Sequence, residues 1–226
     1  MSSVGLLVFD LDGTLVDSSG DLATATNAAL QRVSPGSQEI PHETVRSFVG
    51  DGARVLVERS VCHAGLDRPV DEVLSVFLEC YAGCLLETTV LYPGIHSALD
   101  SLEDSVLAVL TNKPGGFSRT ILDGLGVASR FSRVWGPDDA PAKKPDPAGL
   151  LALVAELGSA PEKVWMIGDS PVDVKTARAA GVRAAGVTWG LNPEGLRREE
   201  PDLLIDDPRD LRSLATEWSR PRKAVC

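Results

Sequence analysis

Cysteine and histidine are scarce here, with four and three among 226 residues. Cys62, Cys80, Cys84 and Cys226 show no zinc-ligand spacing with any histidine, which argues against a structural zinc centre. Cys80 and Cys84 sit four apart in a helical stretch and are expected to be neighbouring buried thiols. Positive charge is also short: 22 Lys and Arg stand against 32 Asp and Glu, a net charge of −10. That balance disfavours a nucleic-acid partner, and none is expected, because phosphate backbones recruit basic surfaces. It leaves room for a small anionic substrate, since a few local cations outweigh a distant global charge. No stretch approaches the ~20 apolar residues of a membrane span, so no membrane association is expected. The N-terminus has no basic region, and its apolar run stops at Asp10, so no signal peptide is expected. A reduced, cytoplasmic enzyme, monomeric or homodimeric, fits these absences. There is no internal repeat and no low-complexity tract.

What is present begins at once. The run Val8-Phe9-Asp10-Leu11-Asp12-Gly13-Thr14-Leu15-Val16-Asp17-Ser18 places two carboxylates at the end of a short apolar strand, Val4 to Phe9. A bend at the strand end lets Asp10 and Asp12 point into one pocket, despite the alternation of side chains along a strand. Two such carboxylates repel unless a cation or a shared proton compensates.

Further apolar runs predict buried strands at Ser105 to Leu110, Phe131 to Trp135, Lys163 to Ile167, Arg183 to Thr188 and, more weakly, Asp202 to Ile205. Helical patterns separate the later ones. Pro114 opens one helix with Gly126 just past its end; Asp146-Pro147 opens a second ending near Gly158; Ser170-Pro171 opens a third ending at Gly181. The alternation predicts an α/β fold, a doubly wound, Rossmann-like parallel sheet with helices on both faces. Residues 17–91 hold no convincing strand. Ser19 to Val33, His42 to Phe48, Ala53 to His63 and Val70 to Leu86 read as helices, an α-helical insertion between neighbouring strands. The expected organisation is a core of residues 1–16 and 92–219, a helical cap of 17–91 and a basic tail of 220–226.

Three further motifs fall at strand ends or in loops. Thr111-Asn112-Lys113-Pro114 offers a hydroxyl and free backbone N–H groups before a helix, a phosphate cradle or an ordinary N-cap. Lys143-Lys144-Pro145-Asp146-Pro147 holds a lysine on a backbone constrained by proline, able to present a fixed ammonium. Gly168-Asp169-Ser170-Pro171-Val172-Asp173 contains a capping box, Ser170 with Asp173, and a proline at the first helical position. Capping leaves Asp169 unexplained; a carboxylate there is a hard oxygen ligand for Mg²⁺. In a doubly wound sheet ligands bind where the strand order reverses, at the carboxyl ends. If the Asp10 strand is central, Asp10, Asp12, Thr111, Lys144 and Asp169 meet in one crevice.

From Asp10 to Thr188 the chain resembles the haloacid dehalogenase superfamily of phosphotransferases, and within it bacterial phosphoglycolate phosphatases. The resemblance lies in residues 10–18, Phe48-Val49-Gly50-Asp51-Gly52, Tyr92-Pro93-Gly94-Ile95, Thr111 to Pro114, Lys143 to Pro147, and residues 168–173 with Ala177 to Val182. It implies a Mg²⁺-dependent phosphomonoesterase acting through an aspartyl phosphate. Asp10 is then the nucleophile, and Asp12 the acid for the leaving alcohol and base for the water. Asp10, Asp169 and the main-chain carbonyl of Asp12 would hold Mg²⁺, with Asp173 contacting it indirectly. Thr111 and Lys144, with Asn112, would bind the phosphoryl group, and the insert would be a cap closing over the site. The loop before the lysine departs from the family's Gly-Gly-Asp and reads Gly136-Pro137-Asp138.

The resemblance implies a small-molecule phosphate ester as substrate, first of all 2-phosphoglycolate. Its carboxylate would want a cation from the cap, for which Arg54, Arg59 and His63 are the candidates. Alternatives are another small metabolite phosphate, or a phosphomutase like the β-phosphoglucomutases, which share core and cap position. Dehalogenases and phosphonatases replace the residue at Asp12. Receiver domains share an aspartate, Mg²⁺, Thr and Lys, but are shorter and lack the insert.

Overall fold

Leu6–Phe9 (β1) is apolar at all four positions and fully buried, as a strand covered on both faces of a sheet must be. Its side chains split by period two. Leu7 and Phe9 enter one apolar cluster, Leu6 and Val8 another on the opposite face. The computed structural model describes residues 5–216. The tail at 220–226, the core's expected end at 219 and the first strand's expected start at Val4 lie outside the described residues.

After β1 come Val16–Asp17 (β2), Ser19–Val33 (α1), His42–Arg46 (α2), Ala53–His63 (α3), Val70–Ala82 (α4) and Val90–Leu91 (β3). Then follow Ile95–Asp100 (α5), Val106–Leu110 (β4), Gly115–Gly124 (α6), Arg133–Trp135 (β5), Ala148–Glu156 (α7) and Val164–Gly168 (β6). Pro171–Ala180 (α8), Arg183–Val187 (β7), Pro193–Arg198 (α9) and Leu203–Ile205 (β8) complete the order. Six strands form one parallel sheet in the order β5-β4-β1-β6-β7-β8. All six were readable as apolar runs. β1 is central, β4 and β6 flank it, and the chain reverses its winding direction there, so the switch point lies at the C-terminal end of β1. One face is covered by α5, α6 and the 3₁₀ turn Pro208–Ala215, the other by α7, α8 and α9.

The four helices between β2 and β3 have a core of their own, built on Leu22, Ala29, Leu30, Leu56, Val57, Phe77 and Tyr81. They form the expected helical cap. Two of them end earlier than their patterns suggest: α2 at Arg46 and α4 at Ala82. The cap's Gly50 and Gly52 have φ of +121° and +93°, a left-handed backbone that favours glycine and breaks the helix. Of the two cysteines four apart, Cys84 is buried and Cys80 only half-buried.

The sequence pattern gave no sign of the pairing of β2 with β3. These two-residue strands are antiparallel, Val16 opposite Leu91 and Asp17 opposite Val90. They form a ribbon through which both connections between cap and core pass. Just above it Asp21, fully buried on α1, accepts four hydrogen bonds. They come from the backbone N–H and hydroxyl of Thr88 (2.8 and 2.6 Å) and of Thr89 (2.9 and 2.6 Å).

Candidate active site

The turn after β1 is tightly wound. The N–H groups of Thr14, Leu15 and Val16 all donate to the Leu11 carbonyl, at 3.2, 2.9 and 3.1 Å. Gly13 has φ +83°, and a Cβ there would lie 2.2 Å from an Asp169 oxygen. Gly190 leaves equally little room, with Asp169 Cβ at 2.3 Å. Two glycines thus let backbone close around one carboxylate at the end of β6.

Asp10 takes the Leu11 N–H at 2.7 Å and lies 2.9 Å from Lys144 Nζ. The same ammonium donates to Asp173 Oδ1 at 2.6 Å. Asp173 Oδ2 accepts the Ser170 hydroxyl at 2.7 Å and its N–H at 3.2 Å, so the carboxylate reaches back as a capping box predicts. Asp169 is held by the Leu191 N–H at 2.6 Å and, at 3.4 Å, the Thr14 hydroxyl. Asp10, Asp169 and Asp173 are all buried, and one oxygen from each falls within 4.8 Å of the others.

Three buried carboxylates around one ammonium are short of positive charge. Burial raises Asp10 to about 6, with Lys144 opposing and Asp173 and Asp12 adding to the rise. Asp169 goes further, to about 8, through burial first and then repulsion from Asp173 and Asp10. Burial disfavours the Lys144 charge, but Asp10 and Asp173 outweigh it and hold the ammonium above its ordinary value. Hard oxygen donors, a charge deficit and a close-fitting glycine cradle suit a small divalent cation. Asp10 and Asp169 have the weaker donor sets, whereas both oxygens of Asp173 are engaged. The Asp12 side chain stands apart from this cluster.

Asp12 has a different partner. Lys113 Nζ lies 2.9 Å from both of its oxygens, and the Ser18 hydroxyl donates at 2.5 Å. Lys113 sits on the β4–α6 loop with its side chain only 4% exposed. Its ammonium lies over the Tyr81 ring, 4.6 Å from the centroid. Burial opposes the charge, but Asp12 and Tyr81 outweigh it and raise the pKa. Sequence reasoning missed this residue, reading Thr-Asn-Lys-Pro as a cradle or cap. The signal was a charge count: Lys144 alone cannot balance Asp10, Asp12, Asp169 and Asp173 at neighbouring strand ends.

Thr111 is buried beside them and accepts the Lys113 N–H at 3.2 Å. Asn112 ties cap to core, its amide donating to the Gly50 carbonyl at 3.3 Å and the Lys144 carbonyl at 3.0 Å. The departure at Gly136-Pro137-Asp138 has a local role. Asp138 accepts the Gly115 N–H at 2.7 Å and so caps α6, while Gly136 passes too close to Gly115 to carry a Cβ.

A cavity of about 40 Å³ lies between cap and core. Its floor is Asp10, Asp12, Thr111, Asn112 and Lys113; its roof includes Leu22, Leu56, Phe77 and Tyr81. The three cap cations expected to face it are elsewhere. Arg54 pairs with Asp71, and with Glu58 at 3.7 Å, on the cap's outer surface. Arg59 instead braces the glycine turn, donating to the Phe48 carbonyl at 3.0 Å and Asp51 at 2.6 Å. His63 packs edge-on against Phe48, ring centroids 6.0 Å apart. A helical pattern shows which faces are polar, but not which polar face a second domain will meet.

The family model described as haloacid dehalogenase-like hydrolase matches residues 7–187.

The chain belongs to the haloacid dehalogenase-like hydrolases.

Within that family it is 40% identical to a phosphoglycolate phosphatase of Pseudomonas putida over 214 residues, 91% of this chain and 78% of that protein. It is 38% identical to a phosphoglycolate phosphatase of Salmonella typhimurium over 231 residues, covering 91% and 90%. Among solved structures it resembles a predicted phosphoglycolate phosphatase from Haemophilus somnus, with TM-score 0.87 and 31% identity. That match covers 96% of this chain and 100% of the other. The protein is a phosphatase acting on phosphoric monoesters. Among the described residues no helix is long and apolar enough to cross a membrane.

Proposed function

We propose that this phosphatase hydrolyses 2-phosphoglycolate to glycolate and phosphate with Mg²⁺, through a phosphorylated Asp10. One observation carries the reading. Asp10, Lys144, Asp169 and Asp173 converge at the switch point beneath a cavity of only about 40 Å³, with room for a few water-sized groups. A leaving group of few heavy atoms suits that space better than a hexose, and the named relatives point to the same substrate.

An Asp10 oxygen bonds to phosphorus as the bond to the leaving oxygen breaks, and Asp12 gives that oxygen a proton. Asp12 then takes a proton from water, whose oxygen attacks phosphorus, releasing phosphate and restoring the Asp10 carboxylate. Lys144 offsets charge on the phosphoryl oxygens, and Thr111 and Asn112 line their approach. Mg²⁺, held by Asp10, Asp169 and the Asp12 carbonyl with Asp173 behind them, would neutralise nucleophile and phosphate together. Residues 17–91 act as the cap that keeps bulk water out.

The test is phosphate release from a panel of esters with Mg²⁺, including 2-phosphoglycolate and sugar phosphates, with Asp10→Asn alongside. Preference for 2-phosphoglycolate, abolished by the substitution, is the expected result. Broad release abolished by Asp10→Asn would overturn the substrate and keep the phosphatase. Release that survives Asp10→Asn would overturn the mechanism. Phosphoryl transfer back to a sugar would favour a mutase.

A further inference from the structure

We infer that Lys113, with Tyr81, is the receptor for a carboxylate on the leaving group of the substrate, so that specificity for an acidic ester is read from the core loop and not from a cap arginine. The inference rests on the phosphatase reading above and deepens it.

Lys113 is, among the described residues, the cation that lines the cavity. It is buried and pairs with a different carboxylate: Lys144 serves Asp10 and Asp173, Lys113 serves Asp12. One site therefore holds two separate ammonium groups with separate carboxylates. A phosphoryl group over Asp10 meets the first. The leaving oxygen faces Asp12, the group that protonates it. In 2-phosphoglycolate the carboxyl carbon is two bonds from that oxygen, so the carboxylate falls beside Asp12, where Lys113 already stands.

Tyr81 supplies the second donor. Its hydroxyl is buried beside the Lys113 ammonium and meets no acceptor in the protein, so its O–H proton is left for something else to complete. The ring is fixed by stacking on Phe77 at 5.7 Å and by an edge contact with Phe117 at 5.5 Å. Lys113 and Tyr81 both line the cavity, and an ammonium and a phenolic O–H are both donors, which suits a carboxylate. The rest of the roof is apolar, so an anion entering here finds few other partners. When the carboxylate binds, Lys113 exchanges one carboxylate for another, and Asp12 keeps the Ser18 hydroxyl.

The experiment is calorimetric titration of 2-phosphoglycolate, and of ethyl phosphate as its carboxylate-free counterpart, into the Asp10→Asn protein with Mg²⁺. Lys113→Met and Tyr81→Phe are each added to that background, and thermal unfolding checks their folding. Lys113→Met should weaken 2-phosphoglycolate about tenfold or more, and ethyl phosphate less than about threefold. Tyr81→Phe, which keeps the ring and its stacking on Phe77, should weaken 2-phosphoglycolate about threefold with a smaller effect on ethyl phosphate. In the otherwise native enzyme, the ratio of kcat/KM for the two esters should fall with the binding ratio. Equal losses on both esters would overturn the inference and assign Lys113 to supporting Asp12 alone. The binding arm needs no turnover, so it decides the point even if hydrolysis proceeds by another route.

Discussion

Asp21 and Asp169 are both deeply buried carboxylates, one at the base of the cap and one at the end of β6. Around Asp21 every lone pair that matters meets a neutral donor: two threonine hydroxyls and two backbone N–H groups between 2.6 and 2.9 Å. Around Asp169 there is one good N–H donor, a distant hydroxyl, and two more carboxylates sharing the nearest ammonium. Burial alone therefore does not mark a reactive acid. The donor set separates the two regions: one is complete within the protein, the other is left for something else to complete.

The strongest way to break this contrast is to remove one acid from each side. Asp10→Asn should cut phosphate release by about 10⁴-fold or more, while thermal stability holds or rises, because one member of a repelling group is gone. A protein that unfolds instead would make Asp10 structural. Next in size is the response to pH. With both Asp10 and Asp169 raised above their ordinary value of 3.8, to about 6 and about 8, the folded chain holds protons that the unfolded chain releases. The contribution of these two acids to the stability of the metal-free protein is then full below about pH 4, is lost as pH rises, and is gone above about pH 8. Melting curves with EDTA against Mg²⁺ should diverge over that window; parallel curves would remove the charge deficit as an explanation.

Asp21→Ala should do the reverse of Asp10→Asn. Leaving four donors, two of them on the buried Thr89, without an acceptor should cost about 3 kcal/mol in urea unfolding, and the surviving folded protein should still be inhibited by loss of Asp10. The smallest expected effect is at Asp138. Its substitution by alanine removes the cap of α6 and should cost about 1 kcal/mol, measured the same way, without altering the dependence on Mg²⁺.

Much of the core was legible because burial on both faces forces continuous apolar runs such as Leu6–Phe9 and Val164–Ile167, and because glycine at 126, 158 and 181 punctuates the helices that follow. The β2–β3 ribbon was not legible: two residues are too few for a period to show. Helix α5, directly after the Tyr92-Pro93-Gly94 return, is only six residues long and has no pattern of its own. In the site, Asp10, Lys144 and Asp169 were singled out because three motifs carry them, and the structure brings the three together. Lys113 was overlooked because a lysine beside a proline in a loop is ordinarily solvated, and only the three-dimensional count of charges shows why it is drawn inside. Arg54 illustrates the opposite limit: a cation on a helix face is easy to see in sequence, but its partner, Asp71, lies across a turn that the pattern does not place.

The β2–β3 ribbon carries a consequence for how such a protein tolerates change. The four cap helices leave the core at Val16–Asp17 and return at Val90–Leu91, and the two points are hydrogen-bonded neighbours, about 5 Å apart as paired strands are. To the sheet, more than seventy intervening residues have the end-to-end span of a hairpin turn. Anything that closes the same short gap could be spliced there, longer or shorter, without shifting a single strand register beneath it. The chemistry at the strand ends and the chamber above them can thus diverge independently, one under the constraint of charge, the other of shape.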